Sequence, residues 1–128
     1  MNRFLNLVVV GISLATIVSG LMQVVAPAFV LGVIGAAITP ATAHFFAIVG
    51  MFMALFGGLM LHTVYSARTA PVAIVWCALQ KLGACVAVGL GILHGIFSWM
   101  AAGVALFDLL SGVLFLYYLK IVKSGEDA

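Results

Sequence analysis

Four apolar runs, each of about twenty residues, fill most of this chain, and no other feature constrains its fold so tightly. A helix of that length rises 1.5 Å per residue and matches the ~30 Å hydrocarbon layer of a bilayer. Spans are expected at about 4–26, 41–66, 71–96 and 99–122. Four helices buried in a soluble protein would be the alternative, and composition excludes it. The chain is 66% hydrophobic and 6% charged, whereas a soluble domain carries about 25% charged residues to face water. The expected fold is therefore all-α: a polytopic membrane protein whose four transmembrane helices form an antiparallel bundle. Residues 1–123 make one domain, 124–128 a polar tail, and 128 residues leave no room for a second domain.

The boundaries carry local signals. Pro71 is placed to open the third helix, where its missing N–H costs nothing, with Arg68-Thr69-Ala70 as the turn before it. Ser98-Trp99 marks the turn into the fourth span, and Trp99 suits an interface. The first apolar run extends to about Ala26, longer than a signal-peptide core, so it is expected to stay as a membrane span. The stretch 27–40 is apolar but bounded by Pro27 and Pro40, interrupted by Gly32 and Gly35, and too short to cross. It is expected to be interfacial or re-entrant, either covering the mouth of the bundle or resting on the headgroups as a loop.

Arg3, Arg68, Lys120 and Lys123 fall on one side of the four-span topology, and the opposite connections hold no Lys or Arg. The positive-inside rule then puts both termini and the middle turn on the cytoplasmic side of the membrane. A bias this clean disfavours the dual topology of small multidrug exporters. A net charge of +2, thinly scattered, gives no footing for nucleic acid.

Winding the helices at 100° per residue predicts their inward faces. In the third span Gln80, Gly83, Ala84, Ala87, Gly91, His94 and Gly95 gather on one side, and Gly83, Ala87, Gly91 and Gly95 form a small-residue stripe suited to close packing. In the second, Ala43, Ala47, Gly50, Ala54, Gly58 and His62 oppose Phe45, Val49, Phe52, Phe56 and Met60. In the fourth, Ala101, Ala105, Asp108, Ser111 and Gly112 oppose Leu106, Leu110, Leu114 and Tyr117. The first span is less patterned, and Gly11, Ala15 and Ser19 repeat at four.

Two charges have no interfacial reason to exist. Lys81 lies ten residues into the third span, about 15 Å deep, and Asp108 nine residues into the fourth from the other side, about 14 Å deep. Both depths approach the midplane, and antiparallel neighbours would bring the two together. A lone charge there costs roughly 2.5–3.5 kcal/mol or more, so pairing is expected, with Gln80 and Ser111 as extra hydrogen-bond partners. Two roles follow. The pair either fixes helix register or forms the polar end of a site, since intramembrane ionisable groups mark functional positions by default.

Other candidates are thinner. His44 and His94 fall near the same ends of the second and third spans and are the only pair placed to ligate haem or a metal. They lack a local metal-ligand spacing, and His62 is expected only to anchor its helix end. Cys77 and Cys85 would lie about 12 Å apart on one helix, beyond disulfide reach, and are read as packing residues. Phosphate-binding glycine loops, nucleophile elbows and paired carboxylates are absent from the sequence.

Gln80-Lys81-Leu82-Gly83, Phe107-Asp108-Leu109-Leu110 and the run Leu114-Phe115-Leu116-Tyr117-Tyr118-Leu119 resemble small bacterial four-span proteins of the DoxX-like kind. The resemblance covers about the last half of the chain and implies a compact bundle, sometimes associated with quinone-linked or other membrane redox systems. It transfers no catalytic residue.

The leading expectation is a non-catalytic protein that binds a lipophilic small molecule, such as a quinone, lipid or isoprenoid. Lys81 and Asp108 would hold its polar group, with Gln80 and Ser111 assisting. It would act beside a larger membrane redox or lipid enzyme. A structural subunit docking partner helices, or self-associating through its small-residue faces, is the second. An enzyme acting on a lipid with Lys81 and Asp108 as acid and base, and an oligomeric transporter, are the others.

Overall fold

The computed structural model describes residues 3–68 and 70–127. Met1, Asn2, Ala128 and Thr69 of the expected middle turn lie outside it, as do the side chains of Glu126 and Asp127. Five α-helices follow in order: α1 Arg3–Val25, α2 Pro27–Val33, α3 Pro40–Tyr65, α4 Pro71–Leu93 and α5 Ala102–Asp127, the last entered through a 3₁₀ turn at Trp99–Ala101. Four are long and apolar enough to cross a membrane. The prolines set the starts. Pro27, Pro40 and Pro71 each occupy the first position of a helix, where no intrahelical partner is lost. Thr39 caps α3, accepting from the Thr42 amide while Thr42 Oγ1 accepts from the Thr39 amide.

Two helix ends need glycine. Gly35 and Gly95 have φ of +72° and +73°, and the amides beyond them turn back onto the last helical carbonyls: Ala36 onto Leu31 at 2.9 Å, Ile96 onto Gly91 at 2.8 Å. This closure satisfies carbonyls that would otherwise be orphaned. It ends α4 at Leu93, three residues earlier than expected. At the far end of the chain, α5 continues as helix through the expected tail to Asp127.

The spans pair as two antiparallel hairpins. α1 lies along α3, where Gly20 faces Gly50 and Ala54, and Gly57 meets the Ser13 carbonyl; a Cβ on Gly57 would stand 2.9 Å from that oxygen. α4 lies along α5, with Gly112 under Leu82. Near the termini the hairpins share one apolar core, built from Leu5, Val9, Met60, Ile74, Cys77, Ala78, Phe115, Tyr118 and Val122. At the opposite end a smaller cluster of Leu31, Ile34 and Ala101 closes the bundle. Large apolar side chains such as Phe45 (67% exposed) and Leu110 (61%) cover the outside, a surface only lipid would solvate.

The helix faces correct part of the sequence reading. Most of the fourth-span face holds: Ala101 of the turn and Asp108, Ser111 and Gly112 of α5 are buried and Leu106, Leu110 and Tyr117 exposed, but Leu114, expected outside, packs against the core. On α1 the buried positions are Leu5, Val9, Ser13, Thr16, Gly20 and Gln23, not the exposed Gly11, Ala15 and Ser19. On α3 Gly50 is buried as expected, but Met60 is buried too, and His62 exposed. On α4 the glycine stripe does not pack as one. Gly91 is covered by the Phe97 ring, while Gly83 meets nothing within 4 Å. The buried positions are Ile74, Cys77, Ala78, Lys81 and Gly91, of which only Gly91 belongs to the expected face, while Gln80, Ala84 and Ala87 of that face line the space between the hairpins.

Candidate functional site

Lys81 and Asp108 meet. Nζ of Lys81 stands 3.3 Å from Oδ1 of Asp108, and the residues are 2% and 5% exposed. The antiparallel run of α4 along α5 brings them level, so two charges 27 positions apart in sequence neutralise each other inside the bundle. A third helix completes the arrangement. Lys81 Nζ donates to Thr16 Oγ1 of α1 at 2.6 Å, and the Thr16 hydroxyl donates in turn to the Ile12 carbonyl at 2.8 Å. The Phe107 ring lies 5.0 Å from the ammonium, a distance at which the ring quadrupole attracts a cation. Lys81 thereby ties the two hairpins together at the level where their common core ends.

Above this floor, toward the α2 end, a two-lobed cavity, partly open to the outer surface, lies between the hairpins. The first lobe, about 370 Å³, lies between α1 and α5 and is lined by Thr16, Ser19, Met22, Lys81, Gly103 and Phe107 among others. The second, about 350 Å³, lies between α3 and α4 and is lined by Phe46, Val49, Gln80, Ala84, Ala87, Val88 and Phe97. Gln23, Val30, Met53, Val104 and Asp108 line both and join them. Each lobe falls at the lower end of the ~300–1,000 Å³ typical of small-molecule sites. The roof is the segment expected to be interfacial. Helix α2 sends Val30 and the following Ile34 onto the cavity, and the Ser98 amide donates to the Ile34 carbonyl at 2.8 Å, locking the cover to the turn before α5.

The expected assistants sit differently. Gln80 is half-buried on the wall of the second lobe and makes no hydrogen bond to a described residue. Ser111 is 1% exposed, its Oγ unpartnered, one turn along α5 from Asp108 and away from both lobes. Thr16 of α1 takes the place beside the pair, and Gln23, two turns further along the same helix, lines both lobes. Gln23 is 8% exposed, its Nε2 donates to Met53 Sδ at 3.2 Å, and its Oε1 has no partner. Neither stands out in the sequence, because α1 is apolar almost all round. The signal that finds them is the spacing of Ser13, Thr16, Gly20 and Gln23, three or four apart on one face.

His44 is exposed, its ring edge-on to Phe45, and His94 is the exposed cap of α4. No hydrogen bond or ring contact joins them. Among the described residues no three of His, Cys, Asp and Glu cluster as a metal would require. Cys77 is buried in the core and directs its thiol at the Phe56 carbonyl, and both cysteines are free.

Four apolar spans around a buried ion pair define a multi-pass membrane protein with a partly open, polar-floored cavity between its hairpins. Comparison with protein-family models, with curated proteins and with solved structures found no match.

Proposed function

We propose that this chain binds a lipophilic small molecule whose polar headgroup rests on Lys81 and Asp108 and whose apolar body fills the two-lobed cavity. The observation that carries the reading is the position of the pair. A salt bridge that served register alone could be sealed in the core, yet Asp108 forms part of the wall of both lobes. Thr16, which accepts from Lys81, comes from the opposite hairpin, so the polar floor is built where both halves of the bundle meet. A small polar end beneath a mostly apolar volume is the pattern of amphiphile sites. Quinones, lipids and isoprenoids share that chemistry, and the DoxX-like resemblance of α4 and α5 fits the same reading through its association with membrane redox systems. The protein is then a ligand carrier or accessory rather than the enzyme, in a bacterial inner membrane. Arg3, Arg68, Lys120 and Lys123 support a cytoplasmic position for both termini by the positive-inside rule.

Lipid extraction of the purified protein, followed by mass spectrometry, tests this. Wild type is expected to carry one enriched non-bulk amphiphile. The double variant Lys81→Met/Asp108→Leu should fold and insert but lose it, because it removes the polar floor without leaving a charge unpaired. Retention of the amphiphile by that variant at the wild-type ratio would defeat the proposal.

A further inference from the structure

The cavity is closed along the bundle axis and open across it. Toward the termini, the common core of Val9, Met60, Ile74, Cys77 and Phe115 packs beneath the ion pair. Toward the other end, the cluster of Leu31, Ile34 and Ala101, with Phe46, Ile92 and Phe97 packed against it, lies over the lobes. The sides differ. The first lobe is walled on α1 by Ala15, Ser19 and Met22 and on α5 by Gly103, Val104 and Phe107, all of them exposed on the outer surface of the bundle. Ala15, Ser19 and Gly103 are small, and a Cβ on Gly103 would meet nothing within 4 Å, so α1 and α5 leave a mouth between them at the level of the lobe. Phe107 reaches from that mouth to the ion pair, its ring 5.0 Å from the Lys81 ammonium. It lies about 12 Å along the fourth span from the Trp99 turn, a depth at which a ~30 Å layer offers only hydrocarbon.

The ion pair balances itself, one cation against one anion, so the floor has no net charge to offer a headgroup. A headgroup bearing a full charge would reach that floor uncompensated, and burial of a charge at mid-bilayer lowers occupancy by about a hundredfold. We infer that the ligand is an uncharged lipophile already dissolved in the hydrocarbon layer, and that it enters the bundle sideways, through the mouth between α1 and α5. This rests on the binding function proposed above and adds the charge class of the ligand and its route. Phospholipids and fatty-acid anions are refused by their charge. Water-soluble solutes are refused by the apolar closure at both ends.

The test uses the full chain in phosphatidylcholine nanodiscs with one photoreactive chain, an alkyl diazirine, carried in turn as a methyl ester, a sulfonate and a trimethylammonium salt. Cross-linked peptides are read by mass spectrometry after a short incubation. The ester is expected to label the α5 wall of the first lobe, residues 103–108, in a saturable way. The two ions should label it at least about tenfold less. Ala15→Trp sets a large ring in the mouth and should abolish ester labelling of that wall. Gly11→Trp, one turn away on α1, equally exposed and outside the lobe, should leave it unchanged. Thermal unfolding midpoints check that both variants remain folded. Labelling by either ion at the level of the ester overturns the charge assignment. Unchanged labelling in Ala15→Trp, or equal loss in Gly11→Trp, overturns the route and leaves the binding function standing, because the wild-type lobe is still filled. Absence of saturable labelling by all three probes overturns the inference, and the co-purification experiment then judges the binding function separately.

Discussion

Lys81 has the most exacting environment in the chain. Its ammonium is 2% exposed at the residue level and depends on Asp108 and Thr16 for everything that water would supply. Removing one member of such a pair strands the other, a loss of about 3–5 kcal/mol, whereas replacing both with apolar groups is often neutral. Lys81→Met alone and Asp108→Leu alone are each expected to lower stability by that amount in detergent unfolding. Their combination should recover most of the loss. Additive effects in the cycle would mean that the charges do not interact, and would contradict the 3.3 Å contact. The pair is legible in the sequence because charge at mid-span is costly enough to demand a partner, and helix rise alone sets the two at one depth. Thr16 and Gln23 are not legible there. A lone Thr or Gln in an apolar helix has low cost and several possible orientations, so only its neighbours decide which way it points.

At the scale of the helices, small residues separate into those a neighbour needs and those it does not. Gly20 and Gly50 lie at the crossing of α1 and α3, and a Cβ on Gly20 would stand 2.8 Å from the Ala54 amide nitrogen, a backbone atom that cannot step aside. Gly58 and Gly83 meet nothing within 4 Å. The same substitution is therefore expected to have opposite outcomes. Gly20→Leu should destabilise by about 1–3 kcal/mol or more through overpacking, while Gly83→Leu should be close to neutral in thermal unfolding. Comparable losses at both sites would mean that Gly83 is covered, by a second copy or another subunit, and the structural-subunit reading would gain. This contrast explains which faces the sequence discloses. Span lengths, helix starts at proline and the inward face of α5 follow from hydrophobic length, backbone chemistry and the placement of one buried charge. The faces of α1, α3 and α4 do not, because in lipid a small residue can mark either a helix contact or a thin place on the surface, and both Leu and Gly are soluble in the surrounding solvent. Met60 turned inward and Gly83 outward show that size alone does not assign a side.

For the molecule as a whole, the two hairpins are each close-packed internally and joined to one another mainly near the termini, which leaves a partly open space between them toward the α2 end. Ligand in that space would occupy the lobes unequally. Lys81 lines the first lobe and not the second, and the second is walled mainly by Phe46, Val49, Ala87, Val88 and Phe97. A headgroup held at the ion pair would therefore occupy the first lobe, with the chain extending into the second. Two plugs separate these roles. Gly103 lines the first lobe with open space where a Cβ would stand, so Gly103→Phe should abolish binding of short and long amphiphiles alike. Ala84 lines the second, so Ala84→Phe should spare a short-chain alcohol and weaken a long one by tenfold or more, since each buried methylene contributes about 0.8 kcal/mol. The measurement is affinity against chain length in nanodiscs for wild type and both variants. In wild type the affinity should rise with each added methylene until the second lobe is full; in Ala84→Phe the rise should stop early. Parallel curves for all three proteins would mean that the chain lies outside the bundle, in the lipid, and that the cavity between the hairpins holds no part of the ligand.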